Sequence, residues 1–141
     1  MSLRLTRAQI HNYMMTMTMS SIIILHIDET GEIIKLRKYK SPRGNHYLVT
    51  NKGQVFGVRG EVKGTKQSKG YMQTTGPGKE KLLIHRIIAE VWCIKRSPDQ
   101  IEVDHLDRNR CNNHPSNLEW VTPEENKRRK DMRIMQEKMK K

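Results

Sequence analysis

Between Val103 and Arg128 the chain reads Val-Asp-His-Leu-Asp-Arg-Asn-Arg-Cys-Asn-Asn-His-Pro-Ser-Asn-Leu-Glu-Trp-Val-Thr-Pro-Glu-Glu-Asn-Lys-Arg. Asp104 and Asn126 carry side-chain oxygens, the hard donors that Mg²⁺ or Mn²⁺ prefers. The only two cysteines, Cys93 and Cys111, cannot supply the paired thiolates of a structural zinc site. His105 carries an imidazole, a group whose unperturbed pKa lies near neutrality and which can take a proton from an attacking water. Asn117 lies 12 residues beyond His105, and Asn126 a further 9. Such a set suits hydrolysis of a phosphate ester assisted by one divalent ion, provided the fold brings the residues together.

The local sequence supplies elements that could do so. Ile101 to Val103 alternates apolar and polar as a short strand, and the stretch holding Asp107, Asn109, Asn112 and Asn113 is dense in turn formers. Leu118 to Val121 reads as the partner strand. Thr122-Pro-Glu-Glu125 then opens a helix, with Thr122 as N-cap, Pro123 in the first helical position and Glu125 placed for a capping box. Asn126 falls in the first turn, where orphan N–H groups favour a phosphate, backed by Lys127, Arg128 and Arg129. One tension is built in. Neighbours on a regular strand face opposite ways, so Asp104 and His105 can share a site only if the strand is irregular there.

This run resembles the HNH nucleases, specifically the phage and intron-associated homing branch with its ββα-metal fold. His105, Asn117 and Asn126 fall on the three signature positions, within Asp-His, Asn-Leu-Glu-Trp and Glu-Asn followed by basic residues. The resemblance implies that Asp104 and Asn126 hold one Mg²⁺ or Mn²⁺, that His105 activates water and that Asn117 braces the hairpin loop. It implies double-stranded DNA as substrate, cut to 5′-phosphate and 3′-hydroxyl ends. A weaker similarity, around Tyr47-x-Val49-Thr50-Asn51-x-Gly53-x-Val55 and Gly70-Tyr71, is to the module that often precedes the motif.

Composition agrees with a polyanionic partner. The chain has 141 residues, a formal net charge of +12 and a pI near 10.0. Residues 35–69 carry a net +9, from ten basic side chains and Glu61, whereas residues 81–141 carry only +4. The grip on DNA is therefore expected N-terminal to the catalytic hairpin, through Arg37, Lys38, Lys40, Arg43, Lys52 and Arg59. Arg86, Lys127, Arg128 and Arg129 are added near the site. Ile22–Ile27 with Glu32–Leu36, Tyr47–Thr50 with Gln54–Val58, and Tyr71–Thr74 with Lys81–Ile84 predict a meander, a small antiparallel sheet with its cations on one face. His85 to Trp92 reads as a short helix joining sheet and hairpin, with His85 a helix-start residue in a satisfied hydrogen bond and Trp92 and Trp120 in the core.

The expected architecture is α+β: a small basic antiparallel β-sheet followed by a ββα-metal hairpin-helix unit. Residues 1–20 read as an N-terminal extension, disordered or a frayed helix, 21–80 as the β-rich DNA-contacting region, 81–130 as the nuclease unit and 131–141 as a basic helical tail whose Met132, Met135 and Met139 point to packing. Asp104-x-x-Asp107-x-Asn109 lacks the Gly and distal Glu of a calcium loop. The longest apolar run, Ile22 to Leu25, is far too short to span a membrane, so a cytoplasmic protein is expected, in a bacterial host if phage-encoded. Two rival readings stay open: a DNA-binding protein that no longer cuts, and a phage accessory nuclease active only with a partner.

Overall fold

Tyr47, Leu48, Val49 and Thr50 are all buried, and successive strand residues point to opposite faces, so the sheet around them is covered on both sides. The computed structural model describes residues 3–16 and 24–140. Strands β1 (Ile24–Ile27), β2 (Ile33–Lys40), β3 (His46–Thr50), β4 (Val55–Gly57) and β5 (Gly60–Glu61) form an antiparallel sheet in sequential order. On one face Ile34, Leu36, Leu48 and Phe56 pack against Leu3, Ile10 and Met14, the last two from helix α1 (Arg7–Thr16). On the other, Tyr47, Val49 and Val55 pack with Ile84, Ile87, Ile88 and Ala89 of helix α2 (Ile84–Trp92), joined by Val103, Leu118 and Trp120.

The expected unpacked extension is thus half of a core. Thr6 caps α1 by accepting from the Gln9 N–H, and the Gln9 side chain accepts from the Thr6 N–H, closing a capping box. Leu3 is fastened to β4's approach by reciprocal bonds between its backbone and the Gln54 amide. Of that expected extension, residues 1, 2 and 17–20 lie outside the described residues, as do Ile22 and Ile23 of the expected first strand.

The predicted single meander divides into two sheets. Strands β6 (Thr65–Lys66), β7 (Met72–Gly76) and β8 (Glu80–Leu83) form their own antiparallel sheet. The buried carboxylate of Glu80 ties it to the β2–β3 turn, accepting from the Ser41 hydroxyl, the Asn45 amide and the Arg43 N–H. Burial alone would raise the Glu80 pKa, yet those bonds outweigh it and hold the group below the ordinary carboxylate value. Because β8 pairs with β7, no break in structure falls at the expected boundary between residues 80 and 81.

Strands β9 (Glu102–His105) and β10 (Leu118–Val121) form the expected hairpin, and helix α3 (Pro123–Met139) follows at once. Thr122 accepts from the Glu125 N–H as N-cap. The helix runs unbroken past residue 130, so the tail has no boundary of its own, and Met132, Met135 and Met139 are exposed rather than packed. The α+β class with antiparallel sheets holds, and among the described residues no helix is long and apolar enough to cross a membrane.

The β3–β4 turn bears directly on the hairpin loop. Gly53 has φ +89°, and a Cβ there would lie 2.7 Å from the Asn113 carbonyl oxygen and 3.1 Å from the His114 Cα. Gly31 has φ +84° with nothing within 4 Å. Gly31→Ala should therefore show backbone strain alone, about 1–2 kcal/mol, whereas Gly53→Ala adds displacement of the loop and should lower the thermal midpoint by several degrees more. Equal midpoints for the two variants would show that the contact is not tight.

Candidate active site

Strand β9 remains regular to its last residue: Asp104 pairs with Glu119 and His105 with Leu118. The predicted irregularity is absent, and the conflict between Asp104 and His105 is resolved by position. His105 ends the strand, its carbonyl accepting from the Arg108 N–H in the turn that follows. A cavity of about 490 Å³ wraps this end and is lined by Asp104 and His105 together with Asn126 from the first turn of α3. Three of the four predicted site residues therefore meet.

Asn117 holds the loop behind them. Its Oδ1 accepts from the Asp107 N–H at 2.9 Å, and its Nδ2 donates to Asp107 Oδ1 at 2.8 Å and to the Asn112 carbonyl at 2.9 Å. Asp107 also accepts from the Asn112 amide and the Asn109 N–H. These bonds, the one from Asn112 foremost, keep the Asp107 pKa below the usual carboxylate value. The loop is thus built from its own side chains, which explains its density in Asn and Asp.

The two faces of β9 differ in kind. On the α3 side, Asp104 is 6% exposed and its Oδ2 accepts from Arg129 at 2.9 Å and from Arg133 at 3.3 Å. Arg129 also bonds Glu119 and Glu125. Its pKa is raised, chiefly by the bond to Glu119 and then by Asp104 and Glu125, against the effect of burial. Glu102 accepts from the Asn126 Nδ2 at 2.8 Å, so Asn126 has its carbonyl oxygen to offer a cation. Both oxygen donors line the same cavity and both are hard, so they fit a divalent ion that completes its shell with water and phosphate. Among the described residues no three His, Cys, Asp or Glu side chains cluster as a metal site.

On the other face His105, 4% exposed, lies among rings. Its Nε2 is 2.8 Å from Asn113 Oδ1, and its ring centroid is 5.0 Å from that of His85 and 6.0 Å from that of Tyr71. A carbonyl oxygen only accepts, so Nε2 donates to Asn113, and in the neutral ring the lone pair then lies on Nδ1. His85 departs from its expected satisfied bond: its Nδ1 is buried without a partner, and its ring stacks on Tyr71 at 4.9 Å. Burial first, then the neighbouring His105, Arg86 and Arg110, push its pKa down to about 3.

The predicted DNA-contacting cations have scattered fates. Arg37 donates to the Val91 carbonyl and lies 5.0 Å over the Trp92 ring, and Lys38 donates to the Met14 carbonyl on the opposite face. Helices on both faces thus engage the cations expected to lie on one open face. Arg43 donates to the Gly78 carbonyl, Lys52 pairs with Glu32, and Arg86 donates to the Ile101 carbonyl while lying 5.3 Å over Trp120. Arg128 pairs with Glu125 and Lys127 with Asp131, whereas Lys40 and Arg59 are exposed. Trp120 and Trp92 pack as expected, donating to the Ala89 and Val49 carbonyls. Sequence reasoning passed over Tyr71, Arg108, Arg110, Lys130 and Arg133, all of which line the cavity.

His85 sets a pH signature. The unfolded chain binds a proton there below about pH 6.5 that the folded chain refuses until about pH 3. Stability is therefore full above the unfolded value and falls as pH drops through this window, by about 2 kcal/mol at pH 5 from this group. His85→Phe keeps a stacked ring without the titration, so its unfolding free energy should change less between pH 7 and pH 5. Parallel curves for wild type and variant would contradict the assignment.

Residues 82–128 match the HNH endonuclease family. The chain is 34% identical over 87 residues to the uncharacterized HNH endonuclease L245 of Acanthamoeba polyphaga mimivirus, covering 58% of this chain and 26% of the relative. It is 35% identical over 100 residues to the SPbeta prophage-derived YosQ of Bacillus subtilis, covering 71% and 48%. It is 34% identical over 83 residues to DNA endonuclease I-HmuI of Bacillus phage SP01, covering 55% and 47%. A solved structure of I-HmuI, described as an HNH homing endonuclease in a study of DNA binding and cleavage, superposes with a TM-score of 0.56 at 28% identity, over 69% of this chain and 59% of that one. The chain spans less than half the length of each of these three relatives. Over the hairpin and helix that carry Asp104, His105 and Asn126, the chain is similar to the HNH endonuclease family, and an HNH homing endonuclease stands among the proteins it resembles.

Proposed function

We propose that this chain is a DNA endonuclease that hydrolyses phosphodiester bonds of double-stranded DNA with one Mg²⁺ or Mn²⁺ per site. The observation that carries the reading is the meeting of Asp104, His105 and Asn126 in one cavity rimmed by Arg108, Arg110, Lys127, Lys130 and Arg133. A scissile phosphate entering it meets cations on both the loop and the helix wall. The His105 Nδ1 takes the proton of the attacking water, and Asn113 keeps the ring in the tautomer that can do so. Asp104 and the Asn126 carbonyl oxygen hold the ion, which when bound stabilises charge collecting on the phosphoryl and leaving oxygens. Asn117 acts as a positioning residue, fixing the loop on which Asn113 is carried.

Supercoiled plasmid incubated with the chain should become open-circular or linear in Mg²⁺ and stay intact with chelator. His105→Ala should slow cleavage at least a hundredfold while duplex affinity changes by no more than a few-fold, because phosphate binding rests on the cationic rim. His105→Gln, closer in size, should cut no better, and circular dichroism should show both variants folded. A folded His105→Ala chain that cuts at the wild-type rate, or one that loses binding and cleavage together, would sink this assignment.

A further inference from the structure

Seven of the nine glycines adopt positive φ, so this chain ordinarily places glycine where the backbone turns left-handed. Two non-glycine residues among those described do the same: Lys79, in the exposed Pro77–Lys79 turn, and Arg108, with φ 65°. Arg108 is exposed at the mouth of the active-site cavity. Its N–H closes the turn onto the His105 carbonyl, a bond that glycine would make equally well. No contact of its side chain explains why arginine stands there. Of the three arginines that line the cavity, Arg110 is tied to the Lys69 carbonyl and lies over Tyr71, and Arg133 is tied to Asp104. The Arg108 side chain makes no hydrogen bond or ion pair among the described residues.

We propose that Arg108 is a substrate-phosphate contact, gripping the DNA backbone from the loop side of the cavity while Lys127 and Lys130 grip it from α3. The assignment rests on the nuclease reading above and adds a residue to it. The loop that presents Arg108 is rigid, since Asp107, Asn112 and Asn117 bond across it. A left-handed residue next to the base is the sort of backbone strain that accumulates at functional sites. Guanidinium is suited to the task, because its planar fork can pair two N–H groups with one phosphate and is always charged. The turn also fixes distance: Arg108 lies three residues beyond His105, so its grip is registered to the atom that activates water.

The test uses duplex DNA and the His105→Ala chain, which binds without cutting, compared with the same chain carrying Arg108→Gly or Arg108→Lys. Loss of one phosphate contact should lower the slope of log affinity against log salt by about 1 and weaken binding several-fold near 0.1 M salt. Arg108→Gly should do this with a thermal midpoint no lower than its parent, since glycine relieves the strained φ, and Arg108→Lys should keep the slope. An unchanged slope in Arg108→Gly, with wild type still cutting plasmid, overturns the assignment alone. If wild type leaves plasmid intact and the parent chain binds no duplex, the nuclease reading fails and takes this assignment with it.

Discussion

Helix α3 has 17 residues and buries none of them, yet it forms one wall of the active-site cavity. Its placement rests on a polar knot at the hairpin: Arg129 with Asp104, Glu119 and Glu125, Arg133 with Asp104, and Asn126 with Glu102. Exposed ion pairs seldom contribute more than about 1 kcal/mol, but Asp104 is 6% exposed and both arginines are 26% exposed. Removing one partner here would leave a buried charge uncompensated, a far larger penalty than loss of a surface pair. Asp104 and Glu119 also lie opposite each other in the strand register, a repulsive arrangement that only a bridging cation makes tolerable. The carboxylate that would hold the ion is thus also the anchor that positions the ion's second ligand.

How much of this was legible depends on how local each signal was. The hairpin, the Thr122 cap and the meeting of Asp104, His105 and Asn126 were readable because they lie within a short run governed by turn and cap chemistry. The capping box of α1 was equally local: Thr6 and Gln9 were in plain sight but were passed over because the apolar residues around them follow no clear stripe. Two sheets were read as one because strand patterns do not say which neighbour a strand pairs with. Only the Glu80 link and the register show where one sheet ends. His85 could be placed at a helix start, but the buried ring beside it comes from a strand 20 residues away.

Charge was the least transferable signal. Counting cations placed the DNA grip on residues 35–69, but a count does not show which side chains the fold itself engages. Strand alternation sent Arg37 to the α2 face and Lys38 to the α1 face, and each found a carbonyl there. Long basic side chains cover apolar surface with their stems and hydrogen-bond with their heads, so a basic strand between two helices becomes mortar. The more evenly charged C-terminal half, by contrast, turns Arg108, Lys127 and Lys130 toward the cavity. Local geometry rather than net charge decides which cations line the cavity.

The period of two along β9 does the final sorting. Val103 and His105 turn toward α2 and Trp120, among apolar and aromatic neighbours, while Glu102 and Asp104 turn toward the arginines and amide of α3. The imidazole is thereby set among rings and the carboxylate among cations. A single regular strand can supply both environments because its two faces are separate solvents. If both groups serve one phosphate, as proposed, they do so where the faces converge, at the strand's last residue. The proposed base stands at the end of β9 with a tight turn directly behind it, and the loop from Asp107 to Asn117 is held by its own side chains.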